Sequence, residues 1–128
     1  MAKILESGEM YLENILMLRE KVGRVRSIDI VNQTGYSKPS ISRAISLLKQ
    51  DGMILVDRSG YITLTDEGEK CAQKIYERHR MLTQFFEMLG VSHETASADA
   101  CKIEHHISDE TFEKIKQHAM TVSENKGE

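Results

Sequence analysis

Residues 31–64 read VNQTGYSKPSISRAISLLKQDGMILVDRSGYITL, and this stretch decides the fold. Ser37 is a good N-cap, and Pro39 falls in the first turn, where a missing N–H has no cost, so a helix should begin near residue 38. Apolar residues then recur at helical spacing, at Ile41, Ala44, Ile45, Leu47 and Leu48. Asp51-Gly52 should end this helix.

The period of the apolar residues changes after Gly52. Residues 54–57 and 61–64 are rich in β-branched and aromatic side chains and flank the polar turn Arg58-Ser59-Gly60, which predicts a β-hairpin. Two strands alone are marginally stable, so this hairpin must pack on the neighbouring helices. A helix, a glycine-containing turn, a second helix and a hairpin, in this order, predict a winged helix-turn-helix.

Further helices are predicted on both sides of this unit from apolar periodicity, caps and glycine stops. Their predicted ranges are 7–22, a short segment from Ser27 to Thr34, 65–89, 93–106 and 109–122. The fold class is therefore mainly α, a winged helix-turn-helix followed by an α-helical domain. We expect the DNA-binding domain at 1–64, the helical domain at 65–122 and a disordered tail at 123–128.

Chain length and composition limit the possible classes of protein. The 128 residues are enough for one domain with a small annex. Residues 1–6 lack the features of a signal peptide, and no apolar run is long enough to span a bilayer, so we expect a cytoplasmic protein without membrane contact. Cys71 and Cys101 are the only thiols, which argues against a disulfide framework.

Charge is distributed unevenly along the chain. The net charge is −3, but residues 1–64 carry nine Lys or Arg against seven Asp or Glu, whereas residues 65–128 carry eight against thirteen. A mildly basic front half and an acidic back half suit a DNA-facing module joined to one that binds cations. An ordinary uneven surface would also produce so small a difference.

The predicted DNA contacts lie at the start of the second helix, which enters the major groove by its N-terminal end, and at the tip of the wing. They are Ser37, Lys38, Pro39, Ser40, Ser42, Arg43 and Arg58. Small hydroxyls approach base edges closely and Arg43 can fork onto a guanine, so Ser40, Ser42 and Arg43 should read the sequence of double-stranded operator DNA. Taken singly, such residues are also typical of a solvated helix face.

A candidate metal site follows from the segment Cys101-Lys102-Ile103-Glu104-His105-His106. At i, i+3 and i+4 spacing on a helix, the side chains of Cys101, Glu104 and His105 should project from one face and converge. His79 is a fourth candidate ligand, and Met10 and Glu13 of the first helix are further ones. Mixed S, N and O donors suit Fe²⁺, Co²⁺, Ni²⁺ or Zn²⁺ and fit Ca²⁺ or Mg²⁺ poorly.

Each of these ligands also has a plain structural explanation. Met10 is more often core filler than ligand, Cys101 could be a small buried hydrophobe, and Glu13 could be a solvated helix residue. His106, beside His105, should point elsewhere on the helix. The joint occurrence of Cys101, Glu104 and His105 carries the metal hypothesis.

The chain resembles the diphtheria toxin repressor family of iron- and manganese-dependent metalloregulators. The resemblance rests on the winged helix-turn-helix, on residues 76–79, Tyr-Glu-Arg-His, and on residues 103–106, Ile-Glu-His-His, followed by Ser108. It implies a repressor of metal homeostasis that binds operator DNA as a homodimer, with no small-molecule substrate. By the same resemblance, the fold is a winged helix-turn-helix at 1–64 followed by an α-helical metal-binding and dimerisation domain at 65–122. It also implies a short form, because the chain ends before the SH3-like domain of longer members.

By this resemblance, Met10, Cys101, Glu104 and His105 match the regulatory site of the iron-responsive branch, which has sulfur donors where the manganese branch has carboxylates. The resemblance therefore implies Fe²⁺ as the physiological metal, with Mn²⁺ as the alternative. His79 matches a ligand of both branches, and Glu13 matches one of the manganese branch. Thr83 stands where the iron branch has a carboxylate of a second site, which puts that site in doubt.

Two other functions compete with a metal-dependent repressor. An enzyme using Glu104 as a base is disfavoured, because the sequence offers no nucleophile and no phosphate-binding loop. A winged-helix regulator without metal, sensing redox state or a small molecule through Cys101, is the stronger alternative. In the metal hypothesis, one ion joins the first helix to the helix of Cys101 and thereby selects the DNA-binding arrangement.

Overall fold

A computed structural model describes the backbone of residues 6–126 and the side chains of residues 7–121. The described residues form six helices and one two-stranded sheet, in the order α1 (Glu6–Val22), α2 (Ser27–Thr34), α3 (Lys38–Gln50), β1 (Ile54–Val56), β2 (Ile62–Leu64), α4 (Asp66–Met88), α5 (His93–Ile103) and α6 (Asp109–Lys126). The chain divides into two compact units, residues 1–74 and residues 75–128, which are called the N-terminal and C-terminal units below.

The N-terminal unit contains the helix-turn-helix, formed by α2 and α3. Gly35 adopts the left-handed conformation, with φ of 78°, and ends α2, while the Ser37 side chain accepts a hydrogen bond from Ser40 N and begins α3. α1 packs against α2 and α3, so that a core of aliphatic side chains closes between the three helices. Its most buried members include Leu12, Ile15, Leu16, Ile30 and Ile41.

The wing is an antiparallel hairpin in which Ile54 pairs with Leu64 and Val56 with Ile62. Ile62 also donates a 2.7 Å hydrogen bond to the Val25 carbonyl, which forms an antiparallel bridge between the segment before α2 and the outer side of β2. Ile54, Ile62 and Val25 are all buried. This bridge gives the hairpin the support that two strands need.

Gly68, near the start of α4, packs directly against the backbone of Met53, in the segment between α3 and the wing. A Cβ atom at Gly68 would lie 1.9 Å from the backbone oxygen of Met53. Thr65 fixes the same contact, because its hydroxyl donates to Gly52 O at 2.6 Å and its amide donates to Met53 O at 3.0 Å. Only glycine allows α4 to begin this close to the wing.

The C-terminal unit has its own core. Leu82 of α4, Ala100 of α5 and Phe112 of α6 form a buried cluster, against which Met81, Phe86, Ile107 and Ile115 pack. Ser92 caps α5 and the Ser108 hydroxyl accepts a hydrogen bond from Thr111 N at the start of α6, as the sequence predicts. α4, α5 and α6 are thereby fixed around one apolar centre.

The order and type of the elements agree with the sequence analysis, and the mainly α, winged-helix fold class is confirmed. The prediction that the fifth helix extends to residue 106 was wrong, because α5 ends at Ile103 and residues 104–106 form a turn. α6 extends through Lys126, so the proposed tail begins in helix; residues 127–128 and 1–5 lie outside the described residues. No helix of the described chain has an apolar stretch that would cross a membrane.

We predict that Gly68→Ala destabilises the protein. In open space the change would favour the helix by about 1 kcal/mol, but here the new methyl group meets a backbone carbonyl that side-chain rotation cannot move. The free energy of unfolding should fall by about 1–3 kcal/mol, measured by urea denaturation. Gln84→Ala, at an exposed position of α4, is the control; equal stability of the two variants would contradict the close contact.

Candidate metal centre

The centre of the candidate site is the side chain of Glu104, which is fully buried in the turn after α5. Its Oε2 lies 2.8 Å from Nδ1 of His79, a residue of α4. Its Oε1 lies 3.4 Å from Nε2 of His105, whose side chain is only 3% exposed. One buried carboxylate therefore has an imidazole on each side.

Arg78 holds this turn in place. Its Nη1 donates hydrogen bonds to the carbonyl oxygens of Glu104, at 3.1 Å, and of Ile107, at 2.7 Å. Its Nη2 donates to the carboxylate of Asp109, and its guanidinium lies 5.5 Å from the ring centre of Phe112. A single buried guanidinium thus ties α4 to the end of α5 and the start of α6.

The early end of α5 follows from these contacts. Glu104 N still donates to Ala100 O, but His106 N and Ile107 N both donate to Ile103 O, which closes a turn. Arg78 donates to the carbonyl oxygen of Glu104, the C-cap residue of α5, and to that of Ile107 further along the turn. The turn directs Glu104 inward while leaving Cys101 at the surface.

Ser97 is a contact that the sequence analysis missed. Its Oγ lies 3.3 Å from His79 Nε2, so both ring nitrogens of His79 have polar neighbours. Ser97 lies seven residues before Glu104, which is two helical turns and therefore the same side of α5. This spacing was a signal in the sequence, but a lone serine is too common to be singled out.

The residues present fit a divalent transition metal. Within the described part of the chain, no hydrogen bond reaches Glu104 Oε1, although this atom is buried. A buried carboxylate oxygen without a donor is costly, and a cation would remove that cost. Carboxylate and imidazole are donors that first-row divalent metals accept.

The predicted convergence of Cys101 with Glu104 and His105 was wrong. Cys101 is exposed, whereas Glu104 is fully buried. Glu104 and His105 lie close together, but among the described residues the Cys101 sulfur does not join them in a group whose ligand atoms all lie within 4.8 Å of one another. The i, i+3, i+4 rule requires a continuous helix, and this helix ends at Ile103.

Met10 and Glu13 of α1 lie in the N-terminal unit. The Met10 sulfur accepts a contact of 3.9 Å from the hydroxyl of Tyr36, and Glu13 is buried, at 7% exposure. The interpretation of Glu13 as a solvated helix residue was therefore wrong. As metal ligands, Met10 and Glu13 stay predictions.

The predicted DNA-contacting residues lie together at the start of α3 and at the turn of the wing. All are exposed except Ser40, which is half-buried. Ser37 Oγ donates to Ser40 Oγ at 2.9 Å and accepts from Ser40 N, so the capping geometry occupies both hydroxyls. Lys38, Ser42 and Arg43 remain the exposed polar groups of this helix start.

Two families match the chain. A family described as "Iron dependent repressor, metal binding and dimerisation domain" matches residues 65–126, and a domain of unknown function matches residues 8–62. The first match contains every residue of the site around Glu104.

Individual proteins also match over most of the chain. A "Transcriptional regulator MntR" of Escherichia coli O157:H7 is 38% identical over 106 residues, which are 83% of this chain and 68% of the relative. An "HTH-type transcriptional regulator MntR" of Lysinibacillus sphaericus (strain C3-41) is 31% identical over 119 residues, 93% of this chain and 86% of the relative.

A solved structure described as "Manganese-dependent transcriptional repressor complex with manganese" is 28% identical, with a TM-score of 0.79. The match covers 88% of this chain and 52% of that one, so this chain spans about half the length of that structure. The "manganese regulator SloR" is similar, with a TM-score of 0.77 at 25% identity over 87% of this chain and 52% of that one.

We predict that Arg78→Met destabilises the C-terminal unit. The substitution keeps most of the side-chain volume but leaves the carbonyl groups of Glu104 and Ile107 without their donor. The free energy of unfolding should fall by about 3 kcal/mol, measured by denaturant titration. Arg80→Met, at an exposed position of α4, should have a much smaller effect; if both variants lose the same stability, Arg78 does not hold the turn.

Proposed function

We propose that this chain, which belongs to the diphtheria toxin repressor family, is a transcriptional repressor whose binding to operator DNA depends on a divalent metal. The observation that carries the proposal is the buried Glu104 carboxylate between His79 and His105. The relatives are named as transcriptional regulators, which agrees with the expectation that the chain is not an enzyme.

Mn²⁺ is the metal that we favour, and this revises the preference for Fe²⁺ drawn from the sequence. That preference rested on two sulfur donors, but the buried groups around Glu104 are oxygen and nitrogen donors, and Cys101 is exposed. Mn²⁺ prefers oxygen ligands over soft sulfur. Fe²⁺ remains the alternative, and Co²⁺, Ni²⁺ and Zn²⁺ are expected to bind in vitro.

The proposed ligands are Glu104, His79 and His105, with Met10, Glu13 and Cys101 as further predicted ones. The protein's residues supply a buried carboxylate of fixed orientation, because Arg78 holds the backbone on each side of the turn. A bound divalent metal would supply the positive charge that compensates this carboxylate. Ser97 orients the His79 ring from its second nitrogen.

DNA is the proposed partner of the N-terminal unit. The start of α3 carries Lys38, Ser42 and Arg43 on its exposed side, and Arg58 lies exposed in the wing. A helix that begins with exposed hydroxyl and basic side chains, followed by a wing, suits insertion into a major groove. We assign DNA binding to residues 1–64 and metal binding with dimerisation to residues 65–122.

A homodimer is the proposed assembly. Leu89 is 68% exposed and Met120 is 49% exposed, and both belong to the C-terminal unit. Large exposed apolar side chains are typical of protein interfaces. A two-fold dimer would present two copies of α3 to successive major grooves, so operators should be palindromic. We expect a repressor that binds operator DNA to act in the cytoplasm.

Metal-dependent DNA binding tests the proposal directly. A duplex is first selected from random-sequence DNA with the protein and Mn²⁺, and its affinity is then measured by fluorescence anisotropy with Mn²⁺, with Fe²⁺ without oxygen, and with chelator. We expect the metal to strengthen binding by about 5- to 150-fold, the usual range of coupling between two ligands. Equal affinity with Mn²⁺ and with chelator would contradict the proposal.

The role of Glu104 is tested by Glu104→Gln, which keeps the shape of the side chain and removes its charge. Mn²⁺ affinity, measured from the electron paramagnetic resonance signal of free Mn²⁺, should fall by at least about 100-fold, more than is usual for an outer-shell partner. Glu110→Gln, at an exposed carboxylate of α6, should bind normally. Normal Mn²⁺ binding by Glu104→Gln would remove Glu104 from the site.

The role of Cys101 separates manganese from iron and from redox sensing. If the site has only oxygen and nitrogen ligands, Cys101→Ala binds Mn²⁺ as the wild type does, and the Co²⁺-loaded wild type shows no thiolate charge-transfer band. A strong charge-transfer band that is lost in Cys101→Ala would favour iron. DNA binding that needs no metal and changes reversibly with oxidation of Cys101 would favour the redox alternative.

A further inference from the structure

Two arginine side chains stack on one tyrosine beside the wing. Val25 lies in an extended segment that bridges to Ile62, and its side chain is only 2% exposed. Because side chains alternate along an extended segment, Arg24 and Arg26 project to the opposite side from Val25. The guanidinium carbons of both lie over the ring of Tyr61, with Cζ 3.9 Å from the ring centre for Arg24 and 4.3 Å for Arg26.

The tyrosine is a fixed support for this pair. Its amide donates to Asp57 Oδ1 at 2.9 Å, and the same oxygen accepts from Ser59 N, so the turn of the wing is closed around Asp57. Stacking on an aromatic ring uses the face of a guanidinium and leaves its N–H edges free to bind an anion. The Cζ atoms of Arg24 and Arg26 both lie over the Tyr61 ring, so this ring supports both cations.

Arg24 is only weakly paired with an acidic group within the described part of the chain. The Arg24 side chain is 71% exposed, and its contact with Asp57 is 3.9 Å long and half exposed, which neutralises little. Arg19, by contrast, forms two hydrogen bonds with the Glu69 carboxylate, at 2.6 and 3.0 Å, and this pairing holds the pKa of Glu69 below its usual value. Two exposed cations thus remain side by side at the wing.

We infer that Arg24 and Arg26 bind the phosphate backbone of DNA and that Tyr61 is the positioning residue for both. Arg26 lies immediately before α2, the first helix of the helix-turn-helix, and in such units this helix crosses the sugar-phosphate backbone. Paired N–H edges match phosphate oxygens better than single amines do. The inference rests on the proposed function. It adds two cations beside the wing to the predicted DNA contacts, among which Arg58 is the one in the wing.

The salt dependence of DNA binding tests this inference. With the Mn²⁺-loaded protein and the selected duplex, Arg24→Ala/Arg26→Ala should weaken binding by about 10-fold or more. Because the proposed dimer loses two phosphate contacts in each protomer, the slope of log affinity against log salt should fall by about four. Lys70→Ala/Lys114→Ala removes two exposed charges from α4 and α6 and should leave the slope unchanged.

Variants of Tyr61 test its positioning role. Tyr61→Phe keeps the ring and should bind DNA as the wild type does, whereas Tyr61→Leu removes the stacking surface and should weaken binding without changing the affinity for Mn²⁺. Thermal unfolding of each variant shows whether the wing is still folded. Equal DNA affinity of Tyr61→Leu and Tyr61→Phe would overturn the positioning role.

The outcomes separate this inference from the proposed function. Wild-type protein that binds DNA equally with and without metal would overturn the proposed function. Wild-type protein that binds with metal, beside an Arg24→Ala/Arg26→Ala variant of unchanged affinity and slope, would overturn only the arginine contact. Equal losses in the arginine and lysine double variants would also overturn it, because they would reflect net charge alone.

Discussion

The hydrogen bonds from Arg78 to the turn after α5 are the constraint on which the candidate site depends. They place the fully buried carboxylate of Glu104 between two imidazole rings. A buried carboxylate is costly unless both of its oxygens are paired, and in the described part of the chain no hydrogen bond reaches Oε1. A cation at this atom would remove that cost. A site of this kind is suited to detecting the metal that satisfies it.

Most of the fold was predictable from local signals in the sequence. Ser37, Pro39 and Gly35 identify the turn and the start of α3, and the change from helical to alternating apolar spacing after Gly52 identifies the wing. These signals act between neighbours in the chain. Periodicity therefore recovers the order of the elements and most of their ends.

The site was only partly predictable, because its decisive contacts are distant in sequence. Arg78 reaches carbonyl groups 26 and 29 residues away, and those contacts end α5 at Ile103. Spacing rules assume that the helix continues, and on that assumption Cys101, Glu104 and His105 converge. His79 and Glu104 were identified as chemistry-bearing residues, whereas the exposure of Cys101 depends on where the helix stops. The pairing of Arg24 and Arg26 on Tyr61 was missed for the same reason, since it depends on a bridge between Val25 and Ile62.

Anomalous diffraction from crystals of the Mn²⁺-loaded protein would show whether Glu104 is a ligand of a divalent metal. We expect a manganese peak within bonding distance of the Glu104 carboxylate, with an imidazole nitrogen in the same coordination sphere. A manganese peak elsewhere, with Glu104 and His79 still in direct hydrogen-bond contact, would contradict it.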